Sequence, residues 1–403
     1  MSDLTADPRL VGARVAPKKG LRLSWSDPLF RAIVWQVVIV GAVVALVWYL
    51  VGNTNRNLAA RHIATGFAFL QRVAGIPIGE SPIAYDPAVN TYGTALLIGI
   101  LNTLRVAAVG IVLATILGTL IGIGRLSGNW LLARLTSFYV ETLRDIPLLL
   151  QLFFWYSILQ ALPPPRQAWH IGDLLYLSNR GARYQQLTWG PAYSWALGGF
   201  VVGLIATIIC SRVIRRRQDQ TGQRMPLWPF GLLFMVALPL AIWALLGAPF
   251  QPDVPVLRGF NYQGGGAVSP EYFALLVGLV TYTAAYIAEI VRSGILAVPQ
   301  GQWEAAGALG LHRRRILTRI VLPQALRVII PPMTSQYLNI TKNSSLAVAI
   351  GFQDIVSIAY TTLNQTGQAI EGVAIIMAVY LTISLSISLF MNWYNARIAL
   401  VER

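Results

Sequence analysis

Two tyrosines, a glutamate and an arginine stand at helical spacing inside an apolar stretch. Glu289 and Arg292 are three residues apart, and Tyr286 and Tyr282 precede Glu289 by about one and two turns. In a helix these side chains share one face, which offers an acceptor for a cationic group and donors for an anionic group. Such a face suits a zwitterionic ligand. The spacing slightly favours an internal salt bridge between Glu289 and Arg292 over such a site.

A lysine within another apolar region forms the second candidate site. Lys342 is followed by Asn343 and Ser344 and lies downstream of the pair Pro331 and Pro332. Prolines leave backbone carbonyls without a helical partner. A cation beside free carbonyls suits a water-lined path or a carboxylate ligand. We therefore favour a translocation path at Lys342 over a purely structural role.

A third group of charges consists of Glu141, Arg144 and Asp145. These residues are three and four positions apart, so they can pair on one helix face, and Pro147 then bends or caps that face. The spacing favours a self-neutralising structural cluster. A gate, or a contact with another subunit, is the alternative.

Motifs of common enzymes are missing from the sequence. None of its three lysines follows the GxxxxG of a phosphate-binding loop, so the chain does not encode the usual ATP site. His62, His170 and His312 are too far apart in sequence for metal-ligand spacing. No serine–histidine–aspartate arrangement is recognisable. We therefore predict no catalytic residue, metal site or cofactor in this chain.

The composition is that of a membrane protein. Of 403 residues, 55% are hydrophobic and 12% are charged, about half the charge of a soluble domain. The apolar residues form blocks of roughly 20, the length with which a helix crosses about 30 Å of hydrocarbon. We predict an all-α polytopic membrane protein with about eight transmembrane helices. They are placed at 32–51, 104–124, 138–161, 194–213, 227–248, 272–296, 325–350 and 372–394.

The basic residues predict the orientation in the membrane. The net charge of +15 comes mostly from arginines beside the apolar blocks, which favours a membrane role over nucleic-acid binding. Basic residues are about three times as frequent in the connections that share a side with both termini, so both termini are predicted to be cytoplasmic. The outer connections, 52–92, 162–193 and 249–271, are predicted as irregular surface loops.

The stretch EAAGALGLHRRRILTRIVLPQALRV, residues 304–328, falls on the cytoplasmic side. Its good helix formers predict a short helix with one compact patch. The patch consists of Ala305, Ala306 and Leu309. Gly307 and Gly310 would let another surface approach closely, the arginines suit lipid phosphates, and Pro323 marks the first turn of the next span. An ordinary basic loop is the alternative.

Seven positions of this stretch resemble the EAA signature of ATP-binding-cassette (ABC) importer permeases. They are Glu304, Ala305, Ala306, Gly310, Ile320, Leu322 and Pro323. In that family the segment forms a coupling helix, which docks into a separate ATPase subunit that binds ATP and Mg. The resemblance therefore implies a coupling loop at 298–323 and ABC ATPase subunits as partners.

Three longer stretches are similar to one branch of this family, the permeases of polar amino-acid importers. They are YVETLRDIPLLLQLFFWY (139–156), AAYIAEIVRSGILAVPQGQWEAA (284–306) and LPQALRVIIPPMTSQYLNITKNSSLAVAIG (322–351). The five-span core of that branch would cover about half of this chain. With an extra first span and an inserted pair at 194–248, the layout looks most like the longer permease subunit of general L-amino-acid importers.

The resemblance implies a type I ABC importer transmembrane fold in the bacterial inner membrane, and ATP-driven import of L-amino acids. Other implied partners are a periplasmic amino-acid-binding protein, membrane lipid and a second homologous permease, as a heterodimer rather than a homodimer. An ion-coupled secondary carrier is the alternative function, but it leaves the EAA segment without a role. A non-transporting scaffold would explain neither the EAA segment nor the charges inside the spans.

The predicted division of the chain follows the same resemblance. The core is divided into 93–161 and 271–395, and the second part contains the coupling loop. The remaining segments are 1–31 (basic cytoplasmic N-terminus), 32–92 (extra first helix and periplasmic loop), 162–270 (periplasmic segments and inserted helical pair) and 396–403 (cytoplasmic C-terminus).

Overall fold

The computed structural model describes Trp25, 28–60, 65–222, 225–248 and 252–398. The chain forms two units, Met1–Gly66 and Phe67–Arg403. The predicted basic N-terminus up to residue 24, and the last five residues of the predicted C-terminal segment, lie outside the described residues. In the first unit, α1 (Pro28–Ala60) contains the predicted first span and extends beyond it at both ends.

The second unit is mainly helical. Its described helices are α2 (Tyr92–Arg125), α3 (Trp130–Asp145), α4 (Leu148–Gln160), α5 (Pro191–Thr221), α6 (Trp228–Leu232), α7 (Leu238–Leu245), α8 (Pro270–Leu296), α9 (Gln300–Ala308), α10 (Arg313–Ile316), α11 (Leu322–Asn343), α12 (Ile355–Thr366) and α13 (Ala369–Ile398). Its described strands are β1 (Trp169–Ile171), β2 (Leu175–Ser178), β3 (Gly181–Tyr184), β4 (Gln186–Leu187), β5 (Pro252–Asp253), β6 (Val256–Arg258), β7 (Asn261–Gln263) and β8 (Gly266–Val268).

Seven helical segments in the described residues are long and apolar enough to cross a membrane. This confirms the predicted polytopic helical architecture. Five of them are single helices, namely α1, α2, α5, α8 and α13, and two are composite, Trp228–Leu245 and Arg313–Ile350.

The prediction of one continuous helix over 138–161 is wrong. α3 ends at Asp145, and α4 begins only at Leu148. Between them Ile146 is extended, with φ −91° and ψ 124°, which is the conformation favoured before a proline such as Pro147. α4 has 13 residues, fewer than the roughly 20 needed to cross the hydrocarbon. The described residues therefore form seven long apolar segments and one short apolar helix, where about eight spans were predicted.

α8 lies at the centre of the helical core. In its most apolar window 61% of the residues are buried, compared with 33% for α2. Gly118 and Gly122 of α2 permit close approach, because a Cβ atom at these positions would lie 2.7 Å from the Cβ of Ile287 and the carbonyl oxygen of Ala288, respectively. Small residues four apart are a common basis of tight helix packing in membranes. This packing brings the end of α2 close to Glu289.

Two prolines are accommodated by π-helical turns rather than by helix breaks. The turns Leu233–Ala237 and Leu317–Val321 each end two residues before a proline, Pro239 and Pro323. A proline removes one backbone hydrogen bond and collides with the carbonyl four residues earlier, and a π-helical turn relieves this locally. Pro323 therefore does not begin the seventh span, as predicted, because the helical segment Arg313–Ile350 runs through it.

Within the described residues, the predicted irregular loops 162–193 and 249–271 instead contain short β-strands. β1, β2, β3 and β8 make a four-stranded antiparallel sheet, in which Arg183 pairs with Tyr176 on one side and Ala267 on the other. The sheet joins segments from both sides of the inserted helical pair. Because β3 and β8 are separated by more than 80 residues, no local alternation in the sequence signals their pairing.

The second half of the predicted loop 52–92 is also not a surface connection. Phe69, Ala74 and Ile76 are buried with Tyr92 of α2 and Ile355 of α12. The Tyr85 hydroxyl donates to the Ile76 carbonyl at 2.9 Å. This segment therefore belongs to the core from Phe67 onward.

Candidate functional site

The EAA residues lie on α9, a nine-residue helix that begins after Pro299. Ala306 is 2% exposed and joins the main hydrophobic core, together with half-buried Trp303. Glu304 and Ala305 are exposed on the opposite side of the helix. The predicted patch of Ala305, Ala306 and Leu309 is therefore wrong, because Ala306 anchors the helix while Leu309 is 80% exposed.

The outward face of α9 is made of small residues around a carboxylate. Gly301, Ala305 and Ala308 are spaced four and three apart, so they follow one another along this face, and all three are exposed. Glu304 is exposed beside them. The helix therefore presents a narrow surface that can fit into a groove on another protein.

Gly310 ends α9 in a left-handed conformation. Its φ is +71°, its N–H donates to the Gly307 carbonyl at 2.9 Å, and the Leu311 N–H donates to the Ala306 carbonyl at 3.3 Å. These two bonds form a Schellman motif, which favours glycine at this position. A Cβ atom at Gly307 or Gly310 would meet nothing within 4 Å. Within the described residues, no other surface therefore lies close to Gly307 or Gly310. The left-handed backbone conformation explains the glycine at position 310.

The arginines after α9 begin the next helical segment. His312 caps α10 through an Nδ1 that accepts from the Arg314 N–H at 3.4 Å. Further along, Leu322 is 44% exposed and Pro323 is half-buried. The exposed guanidinium groups belong to Arg313, Arg314, Arg315 and Arg319. The segment 298–323 thus combines one anchored helix with a basic surface.

Glu289 is the centre of an ion-pair cluster. Its Oε1 accepts from Arg292 Nη2 at 2.6 Å, and its Oε2 accepts from Arg125 Nη1 at the end of α2. Arg125 Nε also donates to Ser137 Oγ at 3.3 Å. Both carboxylate oxygens are therefore occupied, and the cluster joins α2, α3 and α8. The pairing of Glu289 with Arg292 was one of the two sequence interpretations, whereas the role of Arg125 was not anticipated.

The two tyrosines of the same face form a separate polar pair. The hydroxyl groups of Tyr282 and Tyr286 are 3.2 Å apart, and the guanidinium of Arg144 lies 5.1 Å from the centre of the Tyr286 ring. Such a distance allows a cation–π interaction. α3 and α8 therefore also meet through Arg144.

The predicted mutual pairing of Glu141, Arg144 and Asp145 is wrong. All three side chains are exposed, and within the part of the chain that the structure describes none of them forms an ion pair. Arg144 interacts with Tyr286 instead. Because the helix ends at Asp145 before the extended Ile146, the cluster lies at a helix terminus rather than inside a continuous span.

Lys342 is an exposed cation in a long apolar segment. It lies in the last turn of α11, about three turns beyond Pro331 and Pro332, which remain inside the helix. Asn343 is half-buried and Ser344 is fully buried, with the Ser344 hydroxyl donating to the Thr341 carbonyl at 2.7 Å. Lys342 forms no ion pair among the residues described. Its charge is therefore open to a neighbour or a ligand outside this chain.

Similarity to known proteins identifies the family of this chain. The profile of the family described as "Binding-protein-dependent transport system inner membrane component" matches residues 199–400. The chain is also 49% identical over 383 residues to the general L-amino acid transport system permease protein AapQ of Rhizobium johnstonii, covering 95% of this chain and 96% of that protein. The chain belongs to this family of inner-membrane permeases.

Further relatives of the permease align over nearly its whole length. It is 50% identical to the putative amino-acid ABC transporter permease protein YhdX of Escherichia coli, covering 94% of this chain and 97% of that protein. It is 40% identical to the glutamate/glutamine/aspartate/asparagine transport system permease protein BztB of Rhodobacter capsulatus, covering 96% and 98%. These relatives confirm the resemblance to ABC importer permeases, including the extra and inserted spans, because the alignments extend beyond the five-span core.

Membership of the family has direct consequences for the permease. It is a transport subunit with several membrane passes, and ATP is hydrolysed by a separate partner. The alternative of an ion-coupled secondary carrier is not supported. A binding protein, which the family description names, is a further partner of this family.

Asp354 is a buried titratable residue that sequence reasoning missed. It caps α12, where its Oδ1 accepts from the Ser357 N–H at 2.9 Å, and the Tyr380 hydroxyl lies 3.5 Å from its Oδ2. It is fully buried between the apolar segments Arg313–Ile350 and Ala369–Arg397. Burial raises the pKa of Asp354 to about 7, which its hydrogen bonds only partly offset. An aspartate directly before the apolar run of α12 is a typical N-cap, and this signal could have located it.

We expect Asp354→Asn to stabilise the purified permease at pH 8 and to reduce its pH dependence. The carboxyl pKa is about 7 in the folded protein and ordinarily 3.8, so the folded state binds the proton more tightly. The free energy of unfolding that the raised pKa contributes is fully present below pH 3.8, and it is lost as the pH rises from 3.8 to about 7. Asparagine keeps an oxygen for the Ser357 N–H without losing a proton. Thermal unfolding at pH 5.5 and pH 8 measures the effect, and an equal pH dependence in both proteins would contradict it.

Proposed function

We propose that this chain is the membrane-spanning subunit of an ATP-driven importer of L-amino acids. The observation that carries the proposal is α9, which is anchored through Ala306, ended by Gly310 and exposed along Gly301, Ala305 and Ala308. An anchored helix with an exposed face of small residues suits docking into a groove of an ATPase. The relatives AapQ and BztB, which are named for amino-acid transport, supply the class of substrate.

The proposed assembly contains two permeases, ATPase subunits and a periplasmic binding protein. We favour a second, homologous permease as the partner, because a charge at Lys342 costs about 2.5 to 3.5 kcal/mol in lipid and is better placed at a subunit boundary or in water. ATP and Mg bind to the ATPase subunits. Both termini lie in the cytoplasm in this proposal, because the basic residues are concentrated in the connections on that side.

Uptake by the intact complex in proteoliposomes tests this function. The complex is reconstituted with ATP and Mg on the ATPase side, and radiolabelled L-amino acids are supplied with the binding protein on the other side. We expect uptake that requires ATP hydrolysis and continues in the presence of an uncoupler. Uptake that persists without ATP and collapses with the uncoupler would overturn the proposal. Organic acids that lack an amino group serve as the control solutes.

Lys342 is proposed to face the translocation path. We expect Lys342→Ala to lower uptake of acidic and neutral amino acids by about tenfold, because a cation that interacts with the substrate carboxylate contributes roughly 1.4 kcal/mol or more. Lys342→Arg retains the charge and is the matched control, for which a smaller loss is expected. Initial rates for a panel of L-amino acids provide the measurement. Unchanged rates with Lys342→Ala across the panel would assign Lys342 a structural role only.

A further inference from the structure

A polar cavity lies at the end of α8 that is opposite to the coupling helix. Its volume is about 250 Å³, and its lining includes Glu80, Asn102, Glu271 and Gln353. Glu271 is in the first turn of α8, whereas α9 follows the last turn. At 1.5 Å per residue the 27 residues of α8 span about 40 Å. The cavity is therefore on the proposed extracytoplasmic side.

Asn102 is the central polar group of this cavity. It is fully buried, and its Nδ2 donates to the Glu80 carbonyl at 3.1 Å and to the Gln353 carbonyl at 2.9 Å. Because both amide hydrogens are engaged, the orientation of the amide is fixed: the reverse orientation would place an oxygen against two carbonyls. Oδ1 is left without a hydrogen-bond partner in the described residues. A buried acceptor that is unpaired destabilises the protein, so a hydrogen-bond donor from a ligand would stabilise this side of the permease.

The two carboxylates of the cavity differ in their partners. Glu80 is neutralised by Arg105, whose Nη1 lies 3.2 Å from its Oε2, and its Oε1 accepts from the Ser269 N–H. Glu271 accepts from the Tyr156 hydroxyl at 3.1 Å but has no cationic partner among the residues described. The cavity therefore offers one uncompensated negative charge and one unpaired neutral acceptor.

The fixed segments around the cavity keep these groups in place. Gln353 Oε1 accepts from the Gly79 N–H at 2.7 Å, and Gln353 Nε2 donates to the Pro77 carbonyl at 2.7 Å. The segment before α2 is thereby tied to the segment before α12. A metal ion is less suitable, because no cluster of three acidic, histidine or cysteine ligands occurs in the described ranges. The unpaired acceptor and the uncompensated carboxylate of the cavity fit a ligand group that carries several N–H donors and one positive charge.

We propose that this cavity binds the protonated α-amino group of an L-amino acid that enters the permease, with Asn102 Oδ1 and the Glu271 carboxylate as acceptors. This inference rests on the proposed function, because it assumes that amino acids pass this side of the permease. An ammonium group has three N–H donors and no acceptor, so it satisfies the neutral oxygen and the charge together. The site would orient the substrate before it reaches Lys342.

Binding of small probes to the intact complex, without the binding protein, tests the site. L-alanine methyl ester carries the ammonium group without a carboxylate, and methyl L-lactate has a hydroxyl group in place of the ammonium. We expect the ester to bind the wild-type complex in nanodiscs at least about tenfold more tightly than the lactate, a difference of about 1.4 kcal/mol. Equal affinities, measured by calorimetry or saturation-transfer NMR, would overturn the proposal without any variant.

Two variants locate the binding to this cavity. Glu271→Gln removes the charge and keeps an oxygen for the Tyr156 hydroxyl, and we expect it to weaken binding of the ester about tenfold. Tyr156→Phe is the matched control, because it removes the hydrogen bond to Glu271 and leaves the charge, so affinity should stay within about twofold. Wild-type affinity in Glu271→Gln would place the ester elsewhere and overturn the proposal. ATP-driven uptake is measured separately, so a failure of the proposed function is distinguishable from a failure of this site.

Discussion

Replacing Ala305 by tryptophan is expected to abolish ATP-driven uptake while the permease remains folded and inserted. Ala305 is exposed on the outward face of α9, whereas Ala306, on the other side, holds the helix against the core. An indole at position 305 therefore leaves the core unchanged and fills the space that a docking groove requires. A clash that weakens docking by about 1.4 kcal/mol lowers the binding constant tenfold. We expect the energy cost of a bulky ring in a close-fitting surface to be larger than this.

The control for this variant is Gly307→Ala. Gly307 lies on the flank of α9, has a right-handed conformation, and a Cβ atom there would meet nothing within 4 Å. Alanine in a helix is more favourable than glycine by roughly 0.5–1 kcal/mol, so coupling should be retained. Uptake and ATP hydrolysis are measured in the same proteoliposomes. Normal substrate-dependent uptake with Ala305→Trp would mean that this face does not dock.

A second variant addresses the shape of the helix end rather than its face. Gly310 has φ +71°, and a β-branched residue in the left-handed region costs on the order of 1–2 kcal/mol. We expect Gly310→Val to unwind the end of α9 and to reduce uptake relative to ATP hydrolysis. If Gly310→Val retains full coupling while Ala305→Trp does not, docking depends on the face and not on the Schellman motif.

The coupling loop shows how far local sequence determines a site. The good helix formers of this stretch predicted the helix, because helix propensity is a local property, and the resemblance of the EAA spacing implied the ATPase partner. It did not predict which alanine is buried. That depends on where Leu311 and Trp303 reach the core, and such contacts come from helices distant in sequence.

The same limit explains the ion-pair cluster and the cavity. Glu289 and Arg292 share a face by spacing alone, but Arg125 is 164 residues away from Glu289 and meets it only because α2 packs tightly on α8 through Gly118 and Gly122. Asn102 likewise contacts Gln353 across 251 residues. Apolar periodicity predicts that such helices exist, but not which faces of two helices meet.

Replacing Glu289 by glutamine is expected to lower the thermal stability of the purified complex and to reduce uptake. The change leaves Arg125 and Arg292 facing each other without the carboxylate that joins them, and Arg125 has only 12% of its side chain exposed. Breaking a buried ion pair by removing one partner costs about 3–5 kcal/mol. With Glu289 28% exposed, a loss of roughly 1–3 kcal/mol is expected.

Glu141→Gln is the matched control for this effect, because it makes the same chemical change at an exposed carboxylate of α3 without an ion pair in the described structure. A double-mutant cycle with Arg125→Gln separates the pairwise contribution from general damage.

If Glu289 instead bound the substrate ammonium directly, glutamine would weaken substrate binding and leave unfolding unchanged. The described geometry predicts the opposite, namely lower stability with substrate binding retained, because both oxygens of Glu289 already accept from arginines. Arg125 joins the end of α2 to α8, and α8 leads into α9 within four residues. Loss of this junction should therefore disturb the path by which motion of α9 reaches the membrane core.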